Sequence, residues 1–216
     1  MFREYIHRLF WLILGVAVSS IGIAMMLQAS VGLEPWSVLQ QGMALRTGMT
    51  YGTASAIAGA AAILTAVFFG ESFGFGTIIN IAGCAVIIDA IQAAHLIPQM
   101  HGLVSGIAML IGGLELLALG TWLYMKSALG SGPRDALMVA LARKFGRSAG
   151  ACRAVVDVLV TVIGFFLGGP VGIGTIISAV GLGPLINLNF AAVRFKPAEV
   201  HQENAAETIA RIAGKR

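Results

Sequence analysis

The chain has 216 residues, 57% of them hydrophobic and only 11% charged, with a mean hydropathy of +0.87; soluble globular chains carry roughly 45–50% apolar residues. That excludes a water-soluble domain of any size and makes a bilayer the main solvent. The net charge of +4 and the pI near 9.4 come from basic residues in short runs beside apolar stretches, a topology signal and not a nucleic-acid-binding face.

Arg3 and Arg8 precede an apolar run from Leu9 to about Leu27 that lacks a small-x-small cleavage pattern, so it reads as a retained first span and not a secretory signal. Six spans are predicted, at approximately 9–29, 51–69, 76–97, 104–126, 149–168 and 174–193. Each is close to the ~20 residues that a bilayer core requires. Between the first and second spans, and again between the fourth and fifth, lies a short stretch opened by proline, Pro35 to Arg46 and Pro133 to Phe145. A dozen helical residues reach about 18 Å, so these read as half-helices or interfacial helices. Cys84 and Cys152 fall inside apolar segments and read as buried thiols, with no disulfide framework.

Sliding the chain along itself by 98 positions (120 − 22 = 98) superposes Gly15 on Gly113, Gly22 on Gly120, Gly32 on Gly130, Pro35 on Pro133 and Leu39 on Leu137 without a gap. The same shift pairs Gly48 with Gly146, Gly52 with Gly150, Ala56 with Ala154, Gly70 with Gly168 and Gly74 with Gly172. It also lays Gly76-Thr77-Ile78-Ile79 on Gly174-Thr175-Ile176-Ile177. Coincident glycines and prolines at one offset mark an internal repeat, which apolar composition alone does not produce.

Each unit holds three spans, an odd number, so the second must enter the membrane from the opposite side. The reading is an all-α membrane protein of two inverted three-helix repeats, each with a proline-initiated half-helix. The repeats occupy 1–97 and 104–194, followed by a tail over 195–216. Charge supports this, because cytoplasmic segments collect Lys and Arg. The N-terminus, the fourth loop (Lys126, Arg134, Arg143, Lys144, Arg147) and the tail (Arg194, Lys196, Arg211, Lys215, Arg216) are basic. The first loop carries only Arg46, and the third carries neither Lys nor Arg. Both termini are therefore expected in the cytoplasm. The tail reads as mobile or surface-lying.

The strongest local motif is Leu33-Glu34-Pro35-Trp36-Ser37 after Gly32, matched by Ser131-Gly132-Pro133-Arg134-Asp135 after Gly130. A glycine that loosens the chain, then proline in the first turn, gives a helix start with free N–H groups and a positive dipole end. Broken-helix starts of this kind form midplane sites in inverted-repeat transporters. The alternative is an interfacial turn with Trp36 among the headgroups.

These residues, with the later Gly-x-x-x-Gly and the Gly-x-Gly-Thr-Ile-Ile of both units, resemble the YczE-type, YitT-related bacterial inner-membrane proteins over about residues 9–190. The resemblance implies a multipass bacterial inner-membrane protein, often presumed a transporter. It also implies an acidic residue after Pro-Trp in the first unit. This chain has Ser37 there while keeping Asp135.

Ionisable groups inside spans are costly and face a protein interior or a watery cavity. Arg153 and Asp157, four apart in the fifth span, share a helix face. They read either as a structural ion pair or as an anchor for a substrate carboxylate or sulfonate. Asp89 and Asn187 occupy equivalent places and are expected to face each other near the middle or at one helix end. Glu115 has no acidic counterpart, since Ala17 is its equivalent. The stripes Gly48, Gly52, Ala56 and Gly146, Gly150, Ala154 read as close-packing surfaces. Gly74-Phe75-Gly76 and Gly172-Ile173-Gly174 read as tight turns that start the third and sixth spans. His7, His95, His101 and His201 show no metal-ligand spacing, and no nucleophile elbow, Walker loop or CxxC occurs.

The function expected is that of a transporter or permease, not an enzyme. It would move a small anionic or zwitterionic solute by alternating access. The substrate would be held by Glu34, Trp36, Ser37, Arg134, Asp135, Arg153, Asp157, Asp89 and Asn187. A small channel would use the same parts. A non-transporting accessory docking another protein through the basic fourth loop and tail is the reading from a different class. Expected partners are the bilayer, the small-molecule substrate and, for so small a protomer, a second copy in a homodimer. No cofactor, metal or nucleic acid is expected.

Overall fold

The computed structural model describes residues 2–212; Lys215 and Arg216, counted above among the basic residues of the tail, lie outside them. The elements are α1 (Phe2–Gln28), α2 (Pro35–Thr47), α3 (Tyr51–Phe68), α4 (Phe75–Ala93), α5 (Leu103–Lys126), α6 (Pro133–Phe145), α7 (Ala149–Phe166), α8 (Ile173–Ala192) and α9 (Ala205–Ile212). Six of these, α1, α3, α4, α5, α7 and α8, are long and apolar enough to cross a bilayer. The 13-residue α2 and α6 are not.

Local chemistry sets these boundaries. Pro35 and Pro133 sit in the first turns of α2 and α6, where a missing N–H costs nothing. Both helices stop at a glycine in the left-handed region, Gly48 at φ 77° and Gly146 at φ 62°. Thr50 and Ser148 then cap α3 and α7, each hydroxyl accepting a backbone N–H three residues on, at 3.1 and 3.2 Å. The pairs α2 and α6, and α3 and α7, begin and end 98 positions apart, so the sequence repeat is also a repeat of elements.

The molecule is built on an antiparallel seam between α1 and α5. A Cβ on Gly22 would lie 2.5 Å from the Gly113 carbonyl, and one on Gly15 would lie 2.5 Å from the Tyr124 nitrogen. The backbones touch, as small residues permit in helices that have no hydrophobic drive to associate in lipid. Leu12, Val16, Ile23, Met26, Leu110 and Leu114 fill the space beside this seam. Helix α4 packs on α1, and α8 on α5; α3 packs on α4 and on α6, while α2 packs on α7. Among the described residues, α7 and α8 share no packing interface comparable to that of α3 and α4.

The extended linkers before α2 and α6 are held by a reciprocal pair of backbone bonds. Gly76 N–H donates to Leu129 O at 2.8 Å, and Gly174 N–H donates to Val31 O at 2.7 Å. A Cβ on Gly172 would lie 2.5 Å from Val31 O. The glycines that start α4 and α8 therefore serve the close approach of another backbone.

Two expectations need correction. The tail does not lie loose. Its backbone bonds to Ala128 O through Glu203 N–H and to Phe73 O through Ala205 N–H, both at 3.0 Å. Gln202 Nε2 reaches Met125 O at 2.9 Å. Glu203 is buried and accepts from Arg8 at 2.7 Å, Tyr5 at 3.1 Å, and Arg211. The carbonyls where α5 ends need partners, and the polar tail supplies them. The small-residue stripes also behave differently in the two units. Gly52 packs against Ala85 of α4, whereas Gly150 has no neighbour within 4 Å of a Cβ built on it, and Gly48 and Gly146 are helix stops.

Candidate functional site

The starts of α2 and α6 meet inside the helix bundle. Glu34, one residue before Pro35, is 2% exposed and accepts from Arg134 Nη1 at 2.7 Å. Ser37 Oγ donates to the same Glu34 oxygen at 3.0 Å. The Tyr51 hydroxyl lies 2.8 Å from Ser37 Oγ and 2.6 Å from Gln40 Oε1. The Arg134 guanidinium lies 5.2 Å from the centre of the Trp36 ring, within cation–π range. On the other half-helix, Asp135 accepts from the Tyr124 hydroxyl.

Trp36 is buried, and its indole N–H donates to Asp157 Oδ1 at 3.2 Å. This overturns the headgroup-anchor alternative, because a tryptophan satisfied by an interior carboxylate has no headgroup to reach. The other Asp157 oxygen faces Arg153 Nε at 3.5 Å. That pair is loose, and the Arg153 side chain is 38% exposed. Among the described residues, its remaining guanidinium N–H groups make no hydrogen bond to protein.

Part of this cluster borders a cavity of about 120 Å³. Trp36, Arg134, Asp135, Arg153 and Asp157 line it together with Tyr124, and Leu182 and Ile186 of α8 form part of its wall. Two guanidinium groups and two carboxylates (Asp135, Asp157) thus face one interior space, with a third carboxylate, Glu34, paired to Arg134 behind its lining. The two helix starts add partial positive charge, about half a unit each. The result is close to balance, with donors and acceptors both presented.

Seven of the nine residues expected at the site are brought together: Glu34, Trp36, Ser37, Arg134, Asp135, Arg153 and Asp157. Asp89 and Asn187 are not among them, and they do not face each other. Asp89 spans the start of α3, accepting from Thr50 Oγ1 at 2.6 Å and from Gly52 N–H at 2.7 Å. A carboxylate four residues from the end of α4 finds the free N–H groups of the adjacent α3 start before anything else. Asn187 is exposed on α8. Glu115 accepts from Asn189 at 2.9 Å, a contact between α5 and α8.

Sequence reasoning missed Tyr51, Tyr124 and Gln40. The chain has three tyrosines, and each hydroxyl ends on a polar partner: Tyr5 on Glu203, Tyr51 on Ser37 or Gln40, and Tyr124 on Asp135. Buried tyrosines in an apolar chain need such partners, and that rule is the signal that would have found them.

A family of unknown function, DUF6198, matches residues 6–190. The chain is a YczE-type membrane protein of the DUF6198 family. It is 33% identical over 175 residues to an uncharacterised protein of Haemophilus influenzae, covering 81% of this chain and 79% of that one. It is 25% identical over 205 residues to the uncharacterised membrane protein YczE of Bacillus subtilis, covering 90% and 94% respectively. The uncharacterised protein YyaS of the same organism is 26% identical over 183 residues, covering 81% and 88%. No solved structure matches. The DUF6198 match takes in both half-helices and every residue around the cavity, and it ends before the tail that carries Glu203.

Proposed function

We propose that this DUF6198 member is a carrier of the bacterial inner membrane for a small zwitterionic or anionic solute. It works by alternating access between two inverted repeats, with both termini in the cytoplasm. The observation that carries the reading is the meeting of the two half-helix starts in one interior cavity together with Arg153 and Asp157. Broken helices converging on an enclosed polar space are the architecture of secondary transporters. Inversion is supported by the antiparallel α1–α5 seam. There Gly15 lies against Gly120 and Gly22 against Gly113, so each glycine of one unit meets the equivalent of the other's partner. The reciprocal Gly76–Leu129 and Gly174–Val31 bonds add to that support.

The residues divide by role. Glu34 and Arg134 satisfy each other and hold the two starts in register, because a buried ion missing its partner is costly. Arg153, with N–H groups to spare, receives the solute's carboxylate. Asp135, Asp157 and the Trp36 face receive a cationic group. The near balance of charge favours a zwitterion over a simple anion. Asp157, held on one side by Trp36 and only loosely by Arg153, is the group placed to exchange a coupling proton.

The test is saturable uptake into proteoliposomes, screened over amino acids and small organic anions with and without an imposed proton gradient. Thermal-shift measurements accompany it on wild type and Arg153→Ala. A solute that stabilises wild type and not the variant supports the reading. Uptake that never saturates with any solute favours a channel. Equal stabilisation of both proteins removes Arg153 from the site.

A further inference from the structure

The equivalence of Asp89 and Asn187 acquires a different meaning once their surroundings are compared. Asp89, Thr50 and Gly52 form a closed latch between the end of α4 and the start of α3, with bonds of 2.6 and 2.7 Å. Gly52 lies so close to α4 that a Cβ on it would sit 2.6 Å from the Asp89 carboxyl carbon. Their counterparts at the 98-residue offset are Asn187, Ser148 and Gly150. All three can make the same two bonds, an amide oxygen accepting from a hydroxyl and from a glycine N–H. In this structure they are apart. Asn187 is exposed; among the described residues, Gly150 has no neighbour within 4 Å of a built Cβ, and Ser148 Oγ accepts only from Ala151 N–H.

The separation lies beside the cavity. Arg153 is one turn into α7 from Gly150, and Ile186, immediately before Asn187 on α8, lines the same space with Leu182. The gap between α7 and α8 therefore adjoins that space. We infer that Asp89 with Thr50–Gly52 and Asn187 with Ser148–Gly150 are the two latches of one reciprocal gate, the first closed and the second open in this conformation. The inference rests on the carrier reading above and supplies the parts that alternate.

Chemistry also accounts for which latch is shut. A carboxylate makes charge-assisted bonds roughly twice as strong as those of a neutral amide. With Asp on one side and Asn on the other, the empty protein favours closure at Asp89 and opening at Asn187. A solute seated in the cavity between Arg153 of α7 and the Leu182–Ile186 face of α8 touches both helices and supplies the extra interaction needed to close the weaker latch.

Paired cysteines in proteoliposomes test this under mild oxidation, with crosslinks assigned by peptide mass spectrometry so that the buried native thiols stay in place. The Thr50→Cys/Asp89→Cys pair is expected to form its disulfide quickly. The Ser148→Cys/Asn187→Cys pair is expected to form slowly, and severalfold faster when Asp89→Ala is added. A protein carrying all four cysteines is expected to hold either bridge but not both. Both bridges at full occupancy in one molecule overturn the inference. So does a second bridge that never forms in an Asp89→Ala background whose thermal unfolding matches wild type.

Hydrogen exchange on the cysteine-unaltered Asp89→Ala protein gives a second readout. The amide of Gly52 should lose protection while the start of α7 gains it. Loss at Gly52 with no gain at α7 marks Asp89 as a simple helix cap and overturns the coupling. Mutually exclusive bridges without saturable uptake would sustain the gate and end the carrier reading. Saturable uptake with independent bridges would do the reverse.

Discussion

The two halves of the chain share one order of elements, with α2 matching α6 and α3 matching α7 in length, but differ in two respects. One is chemical: the first half-helix start carries Glu34, Trp36 and Ser37, where the second carries Gly132, Arg134 and Asp135. The other is spatial: α3 lies against α4, while α7 stands away from α8. The comparison teaches that the shared glycines and prolines set the backbone. The residues that break the repeat hold the charge that joins the halves. Glu34 has no acidic counterpart and finds its partner in Arg134, the counterpart of Trp36.

The sharpest way to break this comparison is to remove the charge that joins the halves. Glu34→Ala leaves Arg134 unpartnered in the interior and should lower stability by about 3–5 kcal/mol, measured as a loss of thermal stability in detergent. Pairing it with Arg134→Met should recover much of that loss. If Glu34→Ala unfolds no earlier than wild type, the two half-helix starts do not depend on each other.

Next in size is a pair of substitutions at equivalent positions with opposite signs. Gly52→Ala drives a methyl into Ala85 and Asp89 and should cost about 1–3 kcal/mol. Gly150→Ala meets nothing within 4 Å and should stabilise its helix by about 0.5–1 kcal/mol. Thermal unfolding of the two variants with the same sign would erase the difference between the halves.

The tail offers a test by pH. Burial alone would raise the Glu203 carboxyl; the hydrogen bond and charge of Arg8, helped by Tyr5 and Arg211, outweigh it and hold the group below its ordinary 4.5. A carboxyl depressed in the docked state contributes stability above that ordinary value and loses it as the pH falls through the lower one. Protection of residues 203–208 from hydrogen exchange, taken relative to the unfolded chain at the same pH, should therefore persist at neutral pH and fall only in acid, while Arg8→Ala should bring on that loss at higher pH.

The smallest effect on stability is expected at Arg153. Its pair with Asp157 is loose and partly exposed, so Arg153→Ala should change stability by no more than about 1 kcal/mol while abolishing solute-dependent stabilisation. The contrast with Glu34 separates the ion pair that builds the site from the one proposed to meet the solute.

Much of this was legible along the chain. The half-helices Pro35–Thr47 and Pro133–Phe145 follow from proline at one end and glycine at the other, features that act within a turn. The motif residues at the two starts were readable as a site because the repeat placed them at equivalent backbone positions. Tyr51 and Tyr124 were not, since nothing near them in sequence shows that Ser37 and Asp135 will need a hydroxyl. Asp89 was misplaced for a related reason: equivalence at the offset says that two residues share a local frame, not that they meet.

By itself the sequence determined the spans, the two half-helices and their recurrence, because hydropathy, capping and left-handed glycines are properties of neighbouring residues. Only the tertiary structure decided that Arg134 answers Glu34 across 100 positions, that Asp89 closes on Gly52 across 37, and that Glu203 docks on Arg8 across 195. Those pairings arise when packed helices bring a charge or a helix end within reach of groups far away in sequence, and no local signal in the chain encodes that choice.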